Sequence, residues 1–227
     1  MTTTTTTTTA FAAAPARAGR APRARAWTRA ALRDLVYDGA VFAWSIAAFT
    51  VLVTGFTVTA SLLFLAIGVF VWIGFAYVLR WATRVDRRLA AWQRGTPVAA
   101  TYRRPEARGV VALLKSVSAD PQTWKDMAWL GITSTAGFAL GLAAITGAGV
   151  ALAYVSMPIW YWAISDPSGQ YGLTNLGLAT VDTLGEAFAV SAIGLVLVPL
   201  ALLLARGCAA THAGLAASVL GGAPPKR

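Results

Sequence analysis

Three long stretches of the chain contain no charged residue, and they constrain the fold more than any other feature. They cover residues 39–79, 127–165 and 187–205 and are 41, 39 and 19 residues long. A helix needs about 20 apolar residues to cross a bilayer, and lipid cannot satisfy an open backbone. The sequence therefore predicts an all-α integral membrane protein with four transmembrane helices, at about 40–58, 61–79, 127–153 and 187–205. A tight turn at residues 57–61 is expected between the first two.

The cations lie outside these stretches, and their distribution predicts an orientation. The chain has 19 Lys and Arg against 9 Asp and Glu. Six cations precede residue 39, ten lie within residues 80–125, and three follow residue 205. Because cytoplasmic loops carry the excess of Lys and Arg, both termini and the segment 80–126 are predicted to be cytoplasmic, with an external loop at 154–186. The predicted location is a membrane that the chain crosses several times, and the positive charge requires no nucleic-acid partner.

The first 26 residues differ in composition from the rest of the chain. They contain eight consecutive threonines, followed by a segment rich in Ala, Pro and Arg. This composition predicts a disordered cytoplasmic tail, although it also has the Arg-rich, acid-free character of a transit peptide. Residues 27–222 are then expected to form the membrane domain, and residues 223–227 a short tail.

An internal repeat relates the two halves of the membrane domain. Residues 33–37 align with 125–129, and residues 80–95 align with 206–221, with identical pairs such as Arg80/Arg206 and Ala90/Ala216. Each unit comprises a span, an outer turn, a second span and an amphipathic helix that ends at glycine. Because both units begin on the cytoplasmic side, the prediction is two tandem parallel hairpins.

The segment after residue 79 predicts an amphipathic cytoplasmic helix. Trp81, Val85, Leu89 and Trp92 follow a helical period and form one apolar stripe. Arginines surround this stripe, at Arg84, Arg87 and Arg88 among others. The pattern is typical of a helix on an anionic inner leaflet, and a helix that packs against a partner protein has the same pattern.

The predicted external loop combines aromatic and acidic residues. We identify a candidate ligand-sensing cluster there, consisting of Trp160, Tyr161, Trp162, Asp166, Asp182 and Glu186. Two simpler interpretations stay open. Trp and Tyr favour the membrane interface in any membrane protein, and Thr183 with Glu186 matches the capping box of a helix.

Small residues in the third span predict a close helix contact. Gly137 and Gly141 form a GxxxG pattern, and Gly147 extends it. The contact could lie within the bundle or between two copies in a homodimer. Cys208 and His212 are spaced i, i+4, but two ligands make a weak metal site. No nucleotide, hydrolase or kinase signature occurs, so we expect no cofactor, no metal and no enzymatic activity.

The chain resembles the membrane sensor domain of bacterial two-component histidine kinases. The resemblance rests on the run from Asp120 to Asp126 that opens with Asp-Pro and on the cluster Met157-Pro-Ile-Trp-Tyr-Trp162, and it covers residues 27–222. In that family the sensor precedes a dimerisation helix and an ATP-binding domain, whereas this sequence stops at Arg227. The resemblance implies a sensor module that has no kinase of its own.

The resulting functional hypothesis is a non-enzymatic membrane sensor or regulatory protein. It would relay an envelope or lipid signal to a separate cytoplasmic histidine kinase or regulator. One alternative is a small transporter or permease subunit, against which the lack of charge inside the spans counts. Another is a lipid-acting membrane enzyme that uses the acidic residues of the external loop.

Overall fold

A computed structural model describes residues 20–63, 65, 67–100, 102, 109–164, 181 and 183–221. Side chains are described from Ala26 onward and up to Ala163 in the α6 helix. The described residues form helices connected by turns. The helices are α1 (Arg20–Leu63), α2 (Gly68–Arg94), α3 (Val110–Ser118), α4 (Pro121–Ile132), a π turn (Thr133–Gly137), α5 (Phe138–Val155), α6 (Met157–Ile164) and α7 (Leu184–Leu220). Helix α1 begins at Arg20, within the segment predicted to be a disordered tail.

The first hairpin, formed by α1 and α2, turns later than the sequence predicts. Helix α1 continues to Leu63, so residues 57–61 are helical and the turn lies between Leu63 and Gly68. The Thr59 hydroxyl donates to the carbonyl of Gly55 at 2.7 Å, which keeps this hydroxyl residue inside the helix. Helix α2 ends at Gly95, whose φ of 70° favours glycine.

The helix that begins at Pro121 starts as the sequence predicts. Asp120 is its N-cap and accepts a hydrogen bond from the backbone of Gln122 at 3.0 Å, with Pro121 in the first turn. The helix then continues through the π turn into α5 without a break, over Pro121–Val155.

The second hairpin is formed by α5 and α7. Thr183 and Glu186 make the predicted capping box at the start of α7. The Ser191 hydroxyl donates to the carbonyl of Val155 at 2.9 Å, which satisfies one of the last carbonyls of α5. A Cβ atom at Gly194 would lie 2.6 Å from the Val155 nitrogen, so the contact between the helices needs glycine there.

The two hairpins are opposed and not parallel, which corrects the predicted arrangement. Side chains of α1 meet the helix α4–α5 in reverse order, because Leu52 lies against Gly131, Ser45 against Gly137 and Phe42 against Gly141. Helix α1 therefore runs antiparallel to α4–α5, whereas two parallel hairpins require these helices to run in the same direction.

The connection between α2 and α4 explains this direction. It returns along α2, since Tyr102 contacts Arg87 near the end of α2 and Ser118 contacts Trp72 near its start. Helix α4 consequently begins beside the turn of the first hairpin. The charged ends of both hairpins overlap in the middle of the bundle, and their turns point to opposite ends.

Three of the described helices are long and apolar enough to cross a membrane: Ala26–Leu63, Pro121–Val155 and Leu184–Leu220. Only 11–17% of their most apolar windows is buried within the protein, so the apolar surface faces outward as lipid requires. Helix α2 is not among them. Its apolar part runs from Gly68 to Leu79 and then meets Arg80, which gives about 18 Å of the roughly 30 Å needed.

Candidate functional site

Buried polar side chains from all four long helices meet where the hairpins overlap. We call this set the polar layer. Each of its members is at most 7% exposed. They are Asp34, Asp38 and Ser45 of α1, Thr83, Asp86 and Arg87 of α2, Gln122, Thr123, Asp126 and Thr133 of α4 and the π turn, and His212 of α7. Buried polar groups are costly unless they are paired, so their partners determine what the layer can do.

His212 joins three helices at the centre of the polar layer. The Tyr37 hydroxyl lies 2.9 Å from its Nδ1 atom, and the Thr133 hydroxyl lies 3.0 Å from its Nε2 atom. The rings of Tyr37 and Trp129 pack against the imidazole, with centroids 5.9 and 5.5 Å away. In a neutral imidazole one nitrogen donates and the other accepts, so both are satisfied by hydroxyl groups. With 2% exposure and both nitrogens engaged, His212 is not available to an external phosphoryl donor.

The π turn places its residues against this histidine. Thr133 opens the turn and bonds to His212, and Gly137 closes it. A Cβ atom at Gly137 would lie 2.7 Å from the Ser45 hydroxyl oxygen and 3.2 Å from Nε2 of His212. The GxxxG glycines thus lie inside the bundle. Gly141 is held against Phe42 of α1, and Gly147 faces Leu204 of α7.

Asp86 is a buried carboxylate with incomplete pairing. The Trp44 indole nitrogen donates to its Oδ2 atom at 3.1 Å, while its Oδ1 atom and the nearby Trp129 indole nitrogen have no hydrogen-bond partner among the described residues. Burial raises the pKa of Asp86 to about 7. The hydrogen bond from Trp44, the polar groups of Trp129 and Thr133 and the charge of Arg87 oppose this rise. Asp86 can therefore change its charge near neutral pH.

A buried ion pair connects α2 to α4 beside Asp86. Arg87 donates through Nη2 to Oδ1 of Asp126 at 2.7 Å and through Nη1 to the Tyr102 hydroxyl at 2.8 Å. That hydroxyl donates to Oδ2 of Asp126 at 2.7 Å. Burial, followed by the hydrogen bond and charge of Asp126, raises the pKa of Tyr102. A second ion pair, between Arg80 and Asp120 at 3.2 Å, lies further along the same helices.

The polar layer lies inside a region that is found in other proteins. The sequence profile of the family described as "Putative sensor" matches residues 37–220, which is most of the chain. The chain belongs to this sensor family. The matched region begins at Tyr37, one of the two aromatic residues that pack against His212, and includes every member of the polar layer except Asp34. No curated protein and no solved structure gives a significant match.

The predicted surface helix of this sensor-family protein is only partly on the surface. Trp81 and Trp92 are 56% and 47% exposed, and Arg84 and Arg88 are exposed as well. Arg87 departs from the prediction, because it points inward and pairs with Asp126 at 6% exposure. In the sequence, Arg84, Arg87 and Arg88 have the same pattern. The pattern does not reveal that Arg87 alone of these three forms an ion pair with Asp126 of α4.

The predicted ligand-sensing residues of the sensor divide into three groups. Trp160 and Tyr161 of α6 pack against a buried cluster at the start of α7, and Trp162 is 70% exposed. Glu186 belongs to the capping box. Asp166 and Asp182 lie outside the described residues.

Sequence reasoning missed most of the polar layer. Tyr37, Asp86, Trp129 and Thr133 were not singled out, although the internal alignment contains a signal for them. The offset that pairs Arg80 with Arg206 also pairs Asp86 with His212, and the other offset pairs Tyr37 with Trp129. Asp86 and His212 belong to the polar layer, and the rings of Tyr37 and Trp129 pack against His212. Among the described residues, no group of three or more His, Cys, Asp or Glu side chains is placed to hold a metal ion.

Proposed function

We propose that this protein is a non-enzymatic, multi-pass sensor of the bacterial cytoplasmic membrane that relays an envelope or lipid signal to a separate cytoplasmic kinase or regulator. The observation that carries the proposal is the family match over residues 37–220, which covers nearly the whole polar layer. A sensor needs an element with two discrete arrangements that a signal can bias. The polar layer is our candidate for that element.

The hydrogen bonds of His212 support this role. The imidazole is shared by Tyr37 of the first hairpin and Thr133 of the π turn, so moving one hairpin against the other must exchange its partners. Buried polar networks have few acceptable arrangements because each lost bond leaves a costly group. A small displacement at one end of the bundle would therefore convert the polar layer from one hydrogen-bonded arrangement to another and would not deform it gradually.

The output surface is proposed to be the exposed stripe of α2. Trp81 and Trp92 are exposed on it, and Asp86 and Arg87 on its opposite face belong to the polar layer. A change in the layer would thus shift the stripe that a partner or an anionic inner leaflet contacts. A second copy of the chain is a further candidate partner.

The orientation also belongs to the proposal. The cations of the first hairpin lie on the side away from its turn, which supports cytoplasmic placement of the N-terminus and of the segment 80–126. The turn of the second hairpin points to the opposite end of the bundle, so the packing does not support external placement of both turns. The partial span of α2 and the internal repeat support a tandem of two hairpins. The opposed packing does not support the parallel version, which we do not retain.

A crosslinking experiment tests the relay. A photoreactive amino acid at Trp92 in native membranes should capture a cytoplasmic kinase or regulator, and the same residue at Leu65, which is 63% exposed in the turn of the first hairpin, should not. His212→Gln should then alter the phosphorylation of the captured partner's substrate under envelope stress. The proposal fails if membranes with and without the protein support the same partner activity under every stress applied.

The transporter alternative predicts substrate flux through a polar cavity between the hairpins. The two described grooves are instead lined mainly by apolar side chains, one between α1 and α2 and one between α1 and α4. No observation favours transport specifically. Solute uptake by proteoliposomes that depends on the protein would replace the sensor proposal.

A further inference from the structure

An apolar groove of about 540 Å³ lies between α1 and α2 on the outer face of the first hairpin. Valines line it on both sides, at Val58 of α1 and at Val71 and Val78 of α2. The Thr50 hydroxyl donates to its own helix at Ile46, so it offers little polarity to the groove. Gly74 forms part of the groove floor, and a Cβ atom there would meet nothing within 4 Å.

Two exposed arginines, Arg84 and Arg88, follow the groove along α2 and lie about 120° and 80° around the helix from Val78. Arg84 and Arg88 follow Val78 by six and ten residues, about 9 and 15 Å along a helix. Neither makes an ion pair among the residues that the structure describes. Trp81 lies between the groove and these arginines, 56% exposed and packed edge-on to Trp44 with ring centroids 6.0 Å apart.

The order along α2 is therefore apolar groove, tryptophan, cations. A phospholipid presents the same sequence of chemistry, with an acyl chain, a glycerol ester region at the interface and a phosphate. Trp prefers the interface level, and each Lys or Arg near an anionic surface contributes about 1 kcal/mol of attraction.

We propose that the groove between α1 and α2 binds an acyl chain of an anionic phospholipid from the inner leaflet, with Arg84 and Arg88 holding its phosphate. The inference rests on the proposed membrane-sensing function and names the class of its signal. It accounts for the position beside an apolar surface of two arginines that form no ion pair with any residue the structure describes. A second copy of the chain fits less well, because its own arginines would approach the same uncompensated cations.

Native mass spectrometry of the purified full chain tests the site directly. We expect retained phosphatidylglycerol and little phosphatidylcholine when both are supplied in equal amounts. Gly74→Leu fills the groove and should lower phosphatidylglycerol binding at least tenfold, whereas Gly149→Leu, which adds the same side chain at an exposed glycine of α5, should leave it unchanged. The double variant Arg84→Gln, Arg88→Gln should lower the preference for phosphatidylglycerol about tenfold or more, and Arg94→Gln much less.

Several results would overturn the lipid site. Equal retention of both lipids would identify ordinary annular lipid, and equal loss in the Gly74 and Gly149 variants would show that the groove is not involved. A disulfide between two copies carrying Gly74→Cys in native membranes would show that a second copy covers the groove. The circular dichroism melting curve of each variant establishes that it is folded.

The binding measurement is independent of any partner. If the protein shows no lipid selectivity but a photoreactive residue at Trp92 still captures the partner, the lipid site is overturned and the sensor function is not. Selective binding without any effect of the protein on a partner would leave the site and overturn the sensor function.

Discussion

The Tyr37 hydroxyl lies 2.9 Å from Nδ1 of His212, and this hydrogen bond links α1 to α7, the first and last of the described helices. The two residues are 175 positions apart and both are fully or almost fully buried. Each would be an orphaned polar group without the other.

Tyr37→Phe should therefore destabilise the protein by about 1–3 kcal/mol, because it leaves a buried imidazole nitrogen without its partner. Tyr77→Phe is the matched control, since Tyr77 is 50% exposed and should change stability little. Denaturant unfolding in detergent measures both. Equal effects of the two substitutions would contradict the assigned role of the contact.

Gly137→Ala should be harmful although alanine is the better helix former. The added methyl group would lie 2.7 Å from the Ser45 hydroxyl oxygen and 3.2 Å from His212, so the helices must separate at a cost of about 1–3 kcal/mol. Gly149→Ala meets nothing within 4 Å and should be neutral or stabilising by up to about 1 kcal/mol. Thermal unfolding measures the stability of Gly137→Ala and Gly149→Ala under the same conditions. A Gly137 variant as stable as the wild type would show that the helices are not in close contact there.

The opposed direction of the hairpins can be tested by cysteine crosslinking. In a Cys208→Ala background, Leu52→Cys with Gly131→Cys should be joined by a short bifunctional reagent, because the Leu52 side chain lies 3.8 Å from the Cβ position of residue 131. Gly39→Cys with Gly131→Cys is the control, since these residues are level only if the hairpins are parallel. Crosslinking of the control pair instead would restore the parallel arrangement.

Stability should depend on pH through Asp86. Its pKa rises from 3.8 to about 7 on folding, so the folded state binds the extra proton between these values. The contribution of Asp86 to the stability of the wild-type protein should therefore fall as the pH increases from about 4 to about 7. Asp86→Asn should remove this contribution, so that stability falls less with pH than in the wild type, whereas Asp126→Asn should destabilise the protein because it leaves Arg87 without its carboxylate partner. Unfolding midpoints at pH 5, 6, 7 and 8 measure the slope, and an unchanged slope in the Asp86 variant would contradict the assignment.

The sequence was sufficient for the local features of this fold. Charge-free stretches predict long apolar helices, and Asp120-Pro121 and Thr183–Glu186 predict two helix starts, because these signals act within a few residues. The relative direction of the hairpins was not predictable in this way. It depends on contacts such as Tyr102 with Arg87, which decide that the connecting segment returns along α2.

The polar layer could not be predicted for a related reason, because its burial also depends on contacts between helices. A lone aspartate among arginines, as at Asp86, has the same local pattern whether it is solvated or buried. Only the approach of Trp44 and Trp129 from other helices removes it from water. The aromatic residues near Trp160 were predicted to bind a ligand because several of them are close together in the sequence. Trp160 and Tyr161 instead pack against the neighbouring helix α7.

The hydrogen bonds of Tyr102 form a closed triangle, and this makes its release an all-or-none event. Arg87 bonds to Tyr102 and to Asp126, and Tyr102 also bonds to Asp126, so each group in the ring holds the other two. Breaking one bond weakens both that remain. The Tyr102 side chain is thus bonded to α2 and α4 together, and losing its contact with one helix weakens its contact with the other.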